Sequence, residues 1–283
     1  MADSSPPALG DFDRDTAVRL QQDAGPERVF AADVSPNWRA GRGPHGGYLA
    51  AMLLRALIET VADEARAPRS LTVHYPSAPE PGPVAITTRI ERAGRSLSSL
   101  SARMEQDGRL TALALSAFSV PWAGPEISEL EMPPVAPPEL PFWPGQPPHP
   151  LLPPIAARTV KQARFGGPPF SGGEDPMEIG GWLGHDEPRA LDALSLAFFS
   201  DAQIPAPFMR LTEPNAAPTI DLNVHFRAAL PLDGKPLQIC LNEVRTRVIH
   251  EGFFEEDGLM WAPDGTLLAQ SRQLAILLPP PSS

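Results

Sequence analysis

Apolar residues recur along residues 46–65, GGYLAAMLLRALIETVADEA, at three- and four-residue intervals: Leu49, Met52, Leu53, Ala56, Leu57 and Val61 share one stripe. That spacing predicts an amphipathic helix. The segments after it, LTVHY, VAITTRIERA, SLSSLSARMEQ and LTALALSAFSV, alternate apolar and polar positions and are separated by Pro/Gly turns or by Asp-Gly. Period two with such turns predicts antiparallel strands.

The pattern then recurs. SLTVHYPSAPEPGPVAI (70–86) is answered by DLNVHFRAALPLDGKPLQI (221–239), with Val73, His74 and Tyr75 matching Val224, His225 and Phe226. DGRLTALALSAFSV (107–120) is answered in the same order by DGTLLAQSRQLAIL (264–277). Two ordered matches predict tandem copies of one domain, each with a helix against an antiparallel sheet, an α+β architecture. In the second copy the strands are expected at MEIGGWLG, IDLNVHF, LQICLNEVRTRV, GFFEEDGLMWA and TLLAQSRQLAIL, with a helix over 190–203. Between the copies, residues 121–154 carry 13 of the 37 prolines, which excludes a helix or a central strand and predicts an extended connector. Its apolar residues Trp122, Leu140, Phe142, Trp143, Leu151 and Leu152 are expected to lie on the folded body. The expected organisation is an N-terminal segment (1–26), a first unit (27–121), the connector (122–170) and a second unit (171–283).

One residue breaks the pattern. In LDALSLAFFSDAQIP (191–205) the stripe Leu191, Leu194, Phe198 continues to Asp201. A carboxylate where a core residue belongs requires a hydrogen-bonding partner, a shift toward the neutral form, or a surface location.

Composition narrows the class. A formal charge of −11 argues against a nucleic-acid surface, although local arginines, with Arg42, Arg55, Arg69, Arg92 and Arg95 as candidates, can still meet a small anion. The single cysteine, Cys240, excludes an intramolecular disulfide and argues against a Cys-based zinc site. The N-terminal sequence has neither a basic start nor an apolar run, and no segment approaches a membrane span. A cytoplasmic protein is expected.

PNWRAGRGPHGGYLAAMLLRAL (36–57), followed by the repeated sheet and then FFSDAQIP, PTIDLNVHF and LLAQSRQ, resembles the double hot-dog acyl-CoA thioesterases of the thioesterase II type. The resemblance runs from about residue 27 to 278 and is weakest in the connector. It implies a tandem hot-dog fold, two antiparallel sheets each wrapped around one long helix, acting on acyl-CoA without a metal or redox cofactor and assembling as a homodimer. The family's hydrolytic trio maps onto Asp201, Thr219 and Gln273. The first-copy equivalents of the last two are Pro68 and Ser116, so one site per chain is expected.

In that chemistry the Asp201 carboxylate is a general base for water, or a nucleophile through an anhydride, with Thr219 and Gln273 holding the water. The glycines of GPHGGY open a helix, so the N–H groups of Gly46 and Gly47, with His45 beside them, are the expected oxyanion donors; a tight turn or close packing is the alternative use of two glycines. In a regular strand Thr219 faces away from the core, and a bulge or a position before the strand proper is needed to turn it inward. His74 and His225 are expected to be structural because they recur, and Glu255, Glu256 and Asp257 are expected to form a solvated hairpin. The competing readings are a hot-dog hydratase or dehydratase that needs His45 or His225, and a non-catalytic acyl-thioester-binding protein.

Overall fold

The computed structural model describes residues 10–41, 43–137, 159–166, 168–174, 176–213 and 216–278. In chain order its elements are α1 (Asp11–Asp15), β1 (Arg19–Ala24), β2 (Glu27–Val34), the short pair β3 (Arg39–Ala40) and β4 (Gly43–Pro44), α2 (Gly46–Val61), β5 (Ala67–His74), β6 (Gly82–Ala93), β7 (Leu97–Gln106) and β8 (Arg109–Ser119). There follow β9 (Thr159–Phe165), β10 (Glu178–His185), α3 (Ala193–Phe199), β11 (Thr219–Phe226), β12 (Ile239–Arg245), β13 (Ile249–His250), β14 (Phe253–Trp261) and β15 (Leu267–Ile276). Single 3-10 turns lie at Pro36–Trp38 and Ala206–Met209.

Apart from β3 and β4, which form a separate two-stranded sheet, the strands form one continuous antiparallel sheet in the order β1-β2-β6-β7-β8-β5-β11-β15-β14-β12-β10-β9, with β13 on β14. Its centre is the β5–β11 pair, where Val73 lies opposite Leu222 and Leu71 opposite Val224. Read outward from that seam the order is the same on both sides, β5-β8-β7-β6-β2 and β11-β15-β14-β12-β10, as the sequence repeat predicts. The sheet therefore departs from two separate sheets: the matched strands Ser70–Tyr75 and Asp221–Phe226 present complementary backbone edges, and pairing them leaves neither edge open. The outer ends are β1 and β9, strands from the stretches expected as N-terminal segment and connector.

Helix α2 is buried almost all round, with Ala50, Ala51, Met52, Leu53 and Leu54 each at 0% exposure. A single stripe was expected; the helix is instead covered on one side by β6, β7 and β8 and on another by α3. Helix α3 is much shorter than residues 190–203. The N–H of Leu191 is spent on the Leu237 carbonyl, so the helix begins at Asp192, whose carboxylate caps Ser195 N at 2.8 Å. It closes at Ser200, and Asp201 lies in the turn beyond. Arg189 clamps the start of α3 to the N-terminal helix α1, pairing with Asp13 at 2.9 Å and Asp192 at 2.7 Å.

Two expectations about the surface change. Trp122 is 72% exposed, and the connector rests on the second half through Met132 and Val135, packed against Trp182, Ile239, Leu241 and Trp261. Leu140, Phe142, Trp143, Leu151 and Leu152 lie outside the described residues, as does Arg42. Arg55 and Arg69 are used internally, on Asp13 and Ser119.

Candidate active site

The N-terminus of α2 and the turn after α3 meet face to face. His45 caps α2 by accepting from Tyr48 N at Nδ1 (3.3 Å). That bond leaves the ring proton on Nε2, which donates to the main-chain carbonyl of Asp201 at 2.7 Å and lies 3.5 Å from its Oδ2. The Gly47 N–H donates to the same Oδ2 at 3.0 Å. Asp201, the residue out of pattern, thus has partners: its carboxylate sits on the positive end of the first half's helix, and its side chain keeps 14% exposure.

One of the two expected oxyanion donors, the Gly47 N–H, has a partner of its own in this arrangement. The Gly47 N–H serves the Asp201 carboxylate, because a carboxylate at a helix N-terminus takes up an N–H that the helix itself leaves unpaired. Close packing is the second reason for glycine: a Cβ on Gly47 would meet the Phe198 carbonyl oxygen of α3 at 2.3 Å, and one on Gly46 would meet Asp201 Oδ2 at 2.9 Å. Tyr75 completes the arrangement by donating its hydroxyl to the Gly46 carbonyl at 2.9 Å. The Gly46 C=O and the Gly47 N–H belong to one peptide, so Tyr75 and Asp201 together fix its plane. Burial, reinforced by the charges of Asp201 and Asp221, holds the Tyr75 phenol well above its ordinary range and keeps it a donor.

The other two residues of the expected trio form a pair. Thr219 opens β11, and the register against β15 slips between Thr219 and Asp221. That bulge turns Thr219 inward, and its Oγ1 donates to Gln273 Oε1 at 3.0 Å. Gln273 in turn donates from Nε2 to Glu256 Oε1 at 2.8 Å, and the second oxygen of Glu256 accepts from Ala206 N at 2.8 Å. No hydrogen bond joins Asp201 directly to Thr219 or Gln273 among the described residues. The charge of Asp201 nevertheless acts on both Tyr75 and Glu256.

Glu256 overturns the reading of 255–257 as a solvated hairpin. It is 3% exposed, and burial, followed by repulsion from Asp201 and Glu255, pushes its carboxyl up to about 7 against the pull of its two hydrogen bonds. The signal was present in the sequence: Glu256 shares strand parity with the buried Phe254 and Met260, whereas Glu255 and Asp257 do not. Tyr75 also had a signal, since the repeat places it opposite Phe226 and the hydroxyl is the difference between them. His74 and His225 point outward and are exposed, away from this site.

The comparisons with known proteins converge on one family. Residues 34–119 match the model of the acyl-CoA thioesterase N-terminal domain, and residues 133–277 that of the acyl-CoA thioesterase C-terminal domain. An uncharacterized protein of Mycobacterium tuberculosis is 26% identical over 288 residues, covering 88% of this chain and 91% of its own length. Among solved structures, a conserved protein of unknown function with a hot-dog fold from Alicyclobacillus acidocaldarius superposes with a TM-score of 0.83 at 27% identity, over 96% of this chain and 100% of that one. An acyl-CoA thioesterase II from Mycobacterium marinum shares the fold with a TM-score of 0.71 at 18% identity, over 96% and 98% of the two chains. With a repeated strand order, a helix N-terminus set against a carboxylate, and both family domains matched in sequence order, this chain belongs to the acyl-CoA thioesterase family.

Proposed function

We propose that the chain hydrolyses acyl-CoA thioesters to a free carboxylic acid and CoA, at one site between two hot-dog units carried in tandem. The observation that supports this most is the anchoring of Asp201 on the helix N-terminus of the first half, with the Thr219–Gln273 pair on neighbouring strands of the second.

Thr219 spends its proton on Gln273, so its oxygen presents lone pairs, and the Asp201 carboxylate is likewise an acceptor. A water between them donates one hydrogen to each and turns its own lone pair toward the thioester carbon. Asp201 takes the proton as the C–O bond forms and returns it to the sulfur as the C–S bond breaks, so that water and thioester become acid and thiol. The second N–H of Gln273 and the first N–H of α2, at Gly46, are the donors for the carbonyl oxygen.

The hydratase reading draws on the closeness of His45 to Asp201. Both ring nitrogens of His45 are already engaged, on Tyr48 N and the Asp201 carbonyl, which suits a clamp rather than a proton carrier.

The test is thiol release from a panel of acyl-CoAs, with Asp201→Asn, Thr219→Ala and Gln273→Ala beside the wild type. Asp201→Asn is expected to lower kcat by about 100-fold or more, the usual contribution of a general base. Near-normal turnover of Asp201→Asn overturns the reading.

A further inference from the structure

We propose that Glu256 is the positioning residue that sets the hydrogen-bond polarity of the Thr219–Gln273 pair and ties that pair to the loop carrying Asp201. The inference rests on the hydrolase reading above for its catalytic consequence, but the polarity itself follows from geometry.

Glu256 divides its two oxygens between the two arms of the site. Oε1 accepts from the Gln273 amide, and Oε2 accepts from Ala206 N, at the start of the 3-10 turn that follows Asp201. An ionised carboxylate can only accept. The amide nitrogen of Gln273 must then face it, the amide oxygen must face Thr219, and Thr219 must donate. Each group in the chain is thereby left one orientation, and Thr219 presents lone pairs to the site.

A proton on Glu256 reverses this. Ala206 N occupies Oε2, so the proton resides on Oε1, facing Gln273. The amide turns over, its NH2 donates to Thr219, and the Thr219 hydroxyl proton is directed into the site, where a water needs an acceptor. The surroundings place this change within reach of ordinary pH. The charges acting on Glu256 are both negative, Asp201 from the turn after α3 and Glu255 on its own strand, while Gln273 on β15 and Ala206 N supply neutral donors. Burial together with those charges brings the carboxyl to about 7.

Glu256→Gln separates this from a structural role. A glutamine at this position accepts from Ala206 N and donates to Gln273, and so holds the pair permanently in the reversed orientation. The kcat of the wild type is expected to rise about tenfold from pH 5 to pH 9, the scale of one inverted hydrogen bond. The variant is expected to match the wild type at the acid end, to stay flat, and to fall about tenfold behind at the alkaline end with KM changed less than about twofold. A variant profile parallel to that of the wild type, lower or equal, overturns the proposal. The second readout needs no activity: the side-chain NH2 resonance of Gln273 in the labelled wild type, assigned by its loss in Gln273→Ala, is expected to titrate with a midpoint near 7 and to be pH-independent in Glu256→Gln. A resonance constant over the whole range also overturns the proposal. Titration of that resonance in a protein that releases no thiol from any acyl-CoA sinks the hydrolase reading and leaves the polarity assignment standing.

Discussion

The two halves of this molecule have the same strand order and the same irregularity, yet they contribute different things. β5 slips its register against β8 between Pro68 and Ser70, and β11 slips against β15 between Thr219 and Asp221, the matching place in the repeat. In the first half the bulge carries a proline, and Ser116, opposite in the repeat to Gln273, turns its hydroxyl onto the Ser70 carbonyl at 2.6 Å. In the second half the same bulge turns a threonine toward a glutamine. The helices diverge in the reverse sense. α2 runs sixteen residues and offers its N-terminus, whereas α3 stops after seven and puts a carboxylate in the turn beyond. The bulge is thus a property of the fold, and the two copies place different residues on it. The proposed site across the seam needs both departures together.

The contrast can be broken hardest where the halves touch. Gly47→Ala drives a methyl group into the Phe198 carbonyl and displaces the N–H that holds Asp201. It is expected to lower stability by about 1–3 kcal/mol, as overpacking does, and to lower kcat by about 100-fold. Denaturant melts and thiol release measure the two effects separately. Restored activity with a wild-type melt would remove the clamp from the explanation.

The next effect concerns stability against pH. The Glu256 carboxyl is raised in the folded protein, so its contribution is fully present below the ordinary carboxylate range and is lost as pH rises through about 7. The full loss is on the order of 3 kcal/mol. Glu256→Gln has no charge to ionise, so its melting temperature relative to the wild type is expected to climb across this interval. A constant difference would show that Glu256 does not titrate there.

Erasing the difference between Tyr75 and Phe226 sharpens the comparison further. Tyr75→Phe frees the Gly46–Gly47 peptide on one side, and kcat is expected to drop about fivefold to tenfold with the fold intact, the value of one hydrogen bond. The smallest effect should come from the first half's own counterpart of Gln273. Ser116→Ala is expected to cost about 1 kcal/mol of stability and to leave kcat unchanged. A fall in kcat comparable to that of Gln273→Ala would mean two sites per chain.

Much of the fold was legible because alternation and helical spacing are local signals. The expected strands β5–β8, β10–β12, β14 and β15 and the start of α2 at Gly46 follow from residues close in sequence, whereas β2 (Glu27–Val34) is not among the expected strands. What escaped were features decided by partners far along the chain. Residues 190–203 have a helical pattern throughout, but Leu191 is captured by Leu237 and Asn242 of β12 donates to the Phe199 carbonyl at 3.2 Å, so the helix is cut at both ends. The acidic run 255–257 reads as solvated by composition, and it is the burial of one strand face that singles out Glu256.

The sequence by itself determined the tandem repeat and the need for Asp201 to have a partner, because periodicity, repetition and the cost of an unpaired buried charge are all readable in one dimension; the candidate trio Asp201, Thr219 and Gln273 came from the family resemblance. Tertiary structure alone decided who the partners are. The Gly47 N–H goes to a carboxylate 154 residues away, and Gln273 is oriented by Glu256 across a strand pair. Hydrogen bonds are satisfied by proximity in space: pairing the two halves along β5 and β11 goes with the meeting of Gly47 and Asp201, and pairing β14 with β15 sets Glu256 beside Gln273.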